Sequence, residues 1–184
     1  QLLKELTDIV MLLIRERRST DAYEKRLAEV EMALEETRRF LAMIQSSNVR
    51  DREKHLNLMH VTDHLARLIK VLRDQQHAEA VYLQNETMEN FNGVLERVME
   101  RIDHKEAFIR TATLLENTSK EMADRRRMKR EEYFERAITN EVDVEQSTAK
   151  VEAILWVDRL IFHFFRSSAR MANYVRLDEM RQMK

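Results

Sequence analysis

Apolar side chains recur three and four residues apart through most of this chain, the spacing that stacks them on one face of an α-helix. Leu2, Leu3, Leu6, Ile9, Val10 and Leu13 define the first face. The pattern predicts a helix from about Leu2 to Arg17 that stops near Ser19-Thr20-Asp21, a cluster of cap-forming residues. A second helix follows directly. Its seam of Tyr23, Leu27, Val30, Leu34, Thr37, Leu41 and Ile44 alternates three- and four-residue steps, as in an antiparallel hairpin or coiled coil, and ends at Gln45-Ser46-Ser47-Asn48.

A third helix, from Asp51, carries Leu58, Val61, Leu65, Leu68 and Leu72, and a fourth carries Met88, Phe91, Leu95, Val98 and Ile102. Neither proline nor glycine separates them, so either Asn85 to Thr87 caps the fourth or the two form one long bent helix. The fifth covers about Ala107 to Ile138, Thr139-Asn140 interrupts the pattern, and Asp143 opens the sixth. The sixth is the most apolar, with Val151, Ile154, Leu155, Ile161, Phe162, Phe165, Ala169 and Ala172 on one broad face, and is the best core candidate. Trp156, Phe162, Phe164 and Phe165 crowd this helix, too many for one narrow seam, so they either fill the core or include side chains that face a partner. Tyr174 to Lys184 reads as an exposed helical end or tail.

The two halves resemble each other. Arg39-Phe40-Leu41 precedes a polar turn and a helix with Asp63-His64-Leu65; Glu132-Tyr133-Phe134 precedes a polar turn and a helix with Asp158-Arg159-Leu160, an offset of about 94 residues. Alternating helices also align by chance. Read as a duplication, the pattern predicts an all-α fold of two tandem three-helix bundles with long antiparallel helices, residues 1–79 forming the first unit and 80–184 the second.

Composition narrows the field. No proline, a single glycine (Gly93) and 35% charged residues suit long helices and leave little for a sheet. The absence of cysteine excludes disulfides, zinc–thiolate sites and thiol nucleophiles. A formal charge of −1 argues against general nucleic-acid binding, which needs a basic surface. The longest apolar runs, Ile9 to Ile14 and Leu160 to Phe165 broken by His163, fall far short of the roughly 20 residues that cross a bilayer. The chain opens at Gln1 inside an apolar-periodic segment without a signal pattern, which reads as an excised domain.

Candidate chemistry is sparse. Asp158 lies among Ile154, Leu155, Ile161 and Phe162, where a carboxylate needs a partner. It is either an internal ion pair with an arginine of another helix or a polar site that recognises a partner or ion; its repeat mate Asp63 takes the same two readings. His60 and His64 are one turn apart, either a plain surface or core pair or two ligands of one metal, but no glutamate adjoins the first, as a metalloprotease would require. His55, His77, His104 and His163 are scattered, and only Asp74-x-x-His77 approximates a di-iron motif. Catalytic, cofactor and metal sites are therefore not expected. The densest charge run is Arg125-Arg126-Arg127-Met128-Lys129-Arg130. It is either a local anion or acidic-partner contact made through Arg125, Arg126, Arg127, Lys129 and Arg130, or a solvated face paired with Asp124, Glu131 and Glu132. The first hairpin is acidic at Glu29, Glu31, Glu35 and Glu36, so the two hairpins, or two subunits of a homodimer, present complementary charge.

Three stretches, Glu31 to Ile44, His60-Val61-Thr62-Asp63-His64-Leu65-Ala66-Arg67-Leu68, and Val157-Asp158-Arg159-Leu160 leading to Ser167-Ser168-Ala169-Arg170-Met171-Ala172, resemble the hairpin helix and the two Asp-Leu-Glu-Arg-containing helices of the PhoU family. The likeness is greatest to the PhoU-like cytoplasmic domain of bacterial Na/phosphate cotransporter-type proteins. It implies two three-helix bundles side by side and a non-enzymatic role in phosphate uptake or its regulation. It further implies contact with a membrane transporter at the cytoplasmic face of the inner membrane, with no small-molecule substrate. The acid positions of the family's metal-binding pairs fall here on Ala66 and Lys70, and on or near Phe162 and Phe165 in the second unit, so no family-type metal cluster is expected. A helical scaffold or dimerisation domain without a phosphate link would account for the same periodicity.

Overall fold

The computed structural model describes residues 1–16, 20–45, 48–74, 83–139 and 143–182, and every regular element among them is an α-helix. These are α1 (Leu2–Glu16), α2 (Asp21–Met43), α3 (Val49–Arg73), α4 (Asn85–Arg101), α5 (Lys105–Ile138) and α6 (Val144–Gln182). Arg17, Ser19, Ser46, Ser47, His77, Asn140 and the expected unit boundary between residues 79 and 80 lie outside the described residues.

Three helix starts are fixed by side chains that accept from otherwise unpaired backbone N–H groups. Thr20 Oγ1 accepts from Tyr23 N at 3.2 Å, Asn48 Oδ1 from Asp51 N at 2.9 Å and Asp143 Oδ2 from Glu145 N at 3.0 Å. The Asn48 cap starts α3 at Val49, two residues before the expected Asp51. At the other end α3 stops at Arg73, where Asp74 leaves helical geometry (φ −76°, ψ 82°), and α4 starts after Gln84, so the third and fourth elements are separate helices.

The helices form two three-helix units in a closed circuit of contacts. Within the units α1 packs on α2 and α2 on α3, and α4 packs on α5 and α5 on α6; between the units α1 meets α4 and α3 meets α6. Exchanging the units leaves this pattern unchanged. The α3–α6 contact is antiparallel along its length: Arg50 donates to the Leu177 carbonyl at one end, His64 meets His163 in the middle, and Trp156 Nε1 donates to the Val71 carbonyl at 2.9 Å near the other. Beside the α1–α4 contact, Lys4 Nζ of α1 pairs at 3.1 Å with Asp103 in the turn that follows α4.

One continuous apolar core crosses both units. Leu6, Ile9, Leu27, Leu34, Leu65 and Leu68 of the first unit join Met88, Phe91, Leu95, Leu115 and Phe164 of the second, all fully buried, with Phe91 and Phe164 edge to face at 6.0 Å. Each such side chain contributes about 1.5–3 kcal/mol relative to exposure. Two buried polar contacts finish the end of α3, whose last carbonyls lack helical partners. Tyr23 Oη on α2 donates to the Leu72 carbonyl at 2.8 Å, one residue beyond the carbonyl taken by Trp156. Burial holds the Tyr23 hydroxyl well above its ordinary pKa, so it stays a donor.

Some expected faces shift. On α2 the seam holds from Tyr23 to Leu34 and again at Leu41, but Thr37 is only half-buried and Ile44 is exposed, because 15-residue α1 covers little more than half of 23-residue α2. On α6, Val151, Ile154, Ile161 and Ala172 are buried as expected, whereas Leu155, Phe165 and Ala169 are half-buried and Phe162 is 42% exposed. With α5 and α3 both packed against it, α6 buries a wide arc through Ala153, Trp156, Val157, Leu160, Phe164 and Ser168 that is turned away from Phe162. Nor is the end of α6 a free tail up to Asp178. Lys54 pairs with Asp178 at 2.8 Å, its ammonium lies 6.0 Å from the centre of the Tyr174 ring, and Arg50 binds the Leu177 carbonyl.

Candidate functional site

The basic run on α5 is largely neutralised where it stands. Arg125 pairs with Glu86 of α4 at 3.2 Å, Arg126 with Asp158 of α6 at 2.6 Å, Arg127 with Asp124 and Lys129 with Glu132 on the same helix; Arg130 lies over the Phe134 ring at 5.7 Å. Two of these pairs are the three-residue contacts that helical spacing provides. The other two cross to neighbouring helices, which periodicity along α5 alone does not reveal. Lys129 holds the Glu132 carboxyl below its usual range through their hydrogen bond.

The two aspartates of the repeat behave differently. Asp158 is only 12% exposed at its side chain, and its ion pair with Arg126 joins α6 to α5. Burial nonetheless raises its pKa, with Arg126 offsetting only part of the desolvation. Asp63 is half-buried and pairs at 3.0 Å with Arg67 one turn along its own helix.

A cluster that sequence spacing does not reveal sits on the outer α3–α6 seam. His64 meets not His60 but His163, Nδ1 to Nδ1 at 3.3 Å, with ring centroids 5.6 Å apart. These two distances together place both nitrogens almost on the line between the rings, the arrangement of an N–H···N hydrogen bond between complementary neutral tautomers. Burial, then His163 and Arg166, lowers the His64 pKa to about 4. Burial, then Arg67, lowers that of His163. Phe162, half out of the fold, stands edge-on to both imidazoles at 6.2 and 5.3 Å. The break that His163 makes in the apolar run Leu160 to Phe165 is the local signal; its partner follows only from the α3–α6 register. Among the described residues no three His, Cys, Asp or Glu side chains are grouped to hold a metal ion, and no helix is long and apolar enough to cross a membrane.

The α2–α3 tip carries a different feature. Phe40 is 61% exposed, Met43 72% and Val49 73%, and further along α3 Leu56 and Met59 are exposed in a shallow cleft with Ala42 and His55. An apolar cleft of about 390 Å³ opens next to this tip, lined by Thr37, Phe40, Leu41, Leu58, Val61 and Met171 among others, where α2 outruns α1. The fold and its surface define an all-α bundle of two three-helix units with an apolar hairpin tip and a histidine–arginine seam. No protein-family model matches the chain, and no curated protein or solved structure matches it.

Proposed function

We propose that this chain is a non-enzymatic regulatory module of phosphate uptake that docks on a Na/phosphate cotransporter-type membrane protein at the cytoplasmic face of the inner membrane. The observation that carries the docking role is the α2–α3 hairpin end, where Phe40, Met43, Val49 and Leu56 are each exposed although the same chain buries residues of their kind elsewhere, and where Phe40 lines an apolar cleft. Neighbouring exposed apolar side chains mark a surface made to be covered. The phosphate link is supported by the resemblance of residues 31–44, 60–68 and 157–172 to the PhoU family, and the side-by-side pair of three-helix units is compatible with it.

The test is uptake of radiolabelled phosphate, with sulfate as control, in host cells carrying the wild-type chain, a deletion, or the Phe40→Glu/Met43→Glu variant. Both altered strains are expected to lose control of phosphate uptake while sulfate uptake stays unchanged. Phosphate uptake identical in all three strains would overturn the reading. A wild-type dimer in solution that the tip variant breaks, with phosphate uptake unaffected, would favour the scaffold or dimerisation role instead.

A further inference from the structure

The six charged and titratable groups at the outer α3–α6 seam form a cluster with excess positive charge. Arg166 and Arg67 act on His64, and Arg67 and Arg159 act on His163, all lowering imidazole basicity; only Asp63 opposes them. Arg159, His163 and Arg166, four and three residues apart, share one face of α6, His64 and Arg67 share one face of α3, and the 3.3 Å contact of the two imidazoles sets these faces against each other. Asp63 partly satisfies Arg67. Among the described residues, neither Arg159 nor Arg166 forms an ion pair within 4 Å, although the charge of Arg159 acts on Asp158, whereas Arg125, Arg126, Arg127 and Lys129 of the α5 run each do. The run that looks most basic in sequence is thus the one tied up in close ion pairs, and the two arginines without one are seven residues apart among apolar positions of α6.

We propose that this seam is a binding site for a phosphate-type oxyanion, held by Arg159, Arg166 and the free face of Arg67, with the His64–His163 pair as its floor. Guanidinium forks match tetrahedral oxyanions in geometry and charge and keep their protons throughout the physiological range. The imidazole pair adds a proton-linked element. In its neutral form one ring donates Nδ1–H to the other, so the donor ring is left with an unprotonated Nε2 and the acceptor ring carries Nε2–H. A bound anion favours proton uptake at the vacant Nε2, which converts it from acceptor to donor without breaking the Nδ1–H···Nδ1 bond. Asp63 and Arg67 on α3, and Arg159 and Arg166 on α6, are the charged groups that act on the pair. The inference rests on this charge arrangement and not on the phosphate-uptake reading, so either can fail alone.

The oxyanion can be a free ion or a lipid phosphate, and two probes separate these sources. Calorimetric titration with inorganic phosphate, and flotation with phosphatidylcholine vesicles with and without phosphatidylglycerol, are each run on the wild-type chain, on Arg159→Ala/Arg166→Ala and on the surface control Arg127→Ala/Arg130→Ala. Circular dichroism verifies that each variant is folded. The expected result is binding of at least one probe that falls about tenfold or more in the seam variant, because two charge-assisted contacts are lost, and stays near wild type in the control. Loss confined to the phosphate arm assigns a free ion, and loss confined to the vesicle arm a lipid headgroup. Binding of neither probe, or equal loss in both variants, overturns the proposal. Repeating the titration with sulfate, which does not itself titrate between pH 8 and 5.5, is expected to show tighter binding at the lower pH, an effect flattened in His163→Gln; pH-independent sulfate binding would remove the histidines from the site.

Discussion

Tyr23→Phe removes a single oxygen atom from the core. Tyr23 is almost wholly buried, and its hydroxyl donates to the carbonyl of Leu72 in the last turn of α3. Deleting it leaves that carbonyl in a dry environment without the helical partner it would have mid-helix, so the cost includes desolvation as well as the lost bond, together about 1–3 kcal/mol. Trp156 does not compensate, because its indole N–H is committed to Val71, whose carbonyl is also reached by the Asp74 N–H. For a chain of this size about 2 kcal/mol corresponds to a fall in Tm of roughly 4–8 °C. Urea unfolding followed by circular dichroism should show a lower midpoint with an unchanged slope. Trp156, the sole tryptophan, provides a second probe at the same helix end. Since the apolar core runs unbroken through both units, its fluorescence transition should coincide with the helical one. A loss below about 0.3 kcal/mol would refute the account of the α3 terminus, because surface substitutions already reach that size.

The other predictions concern the ion pair, the histidines and the aromatic face. Arg126→Ala should cost about 1–2 kcal/mol, less than a fully buried pair because Arg126 is partly exposed, while Asp158→Asn should cost less, since burial already disfavours its charge; chemical denaturation of both variants tests the order. Folding lowers the His64 pKa from 6.5 to about 4, so its contribution is complete above pH 6.5 and is lost as pH falls from 6.5 towards 4. The full difference would be about 3 kcal/mol, but the ring is only half-buried and screening reduces the expected loss to about 1 kcal/mol. His64→Gln should flatten that part of the stability–pH curve, and an unaltered curve would contradict the assignment. Phe164→Ala should cost about 3–5 kcal/mol and Phe162→Ser under about 0.5 kcal/mol, a contrast read directly from thermal melts.

Much of the fold was legible because its determinants are local. The three- and four-residue apolar spacing located the six helices found among the described residues, and short polar segments marked their ends; Thr20 and Asp143 cap where cap-forming residues suggested. Local patterns fail where a side chain's surroundings depend on distant parts of the chain. Phe162 shares the helical spacing of the core residues Ile154 and Ile161, and only the placement of α6 between α3 and α5 turns it outward. The pairing of Arg126 with Asp158 was open as one of two readings for Asp158, but the particular arginine depends on the α5–α6 register. His163 carried no recognisable spacing signal, since its partner is 99 residues away on another helix.

The contact circuit of the six described helices bears on how such a chain can come apart. Each unit presents to the other the outer faces of its first and third helices, α1 to α4 and α3 to α6. A single unit would therefore carry two faces with nothing on them. The chain closes that circuit within one molecule, with the histidine–arginine seam on one of the two contacts between its units. Cut between its units, it is a natural candidate for fragment complementation, each half supplying the surface the other lacks.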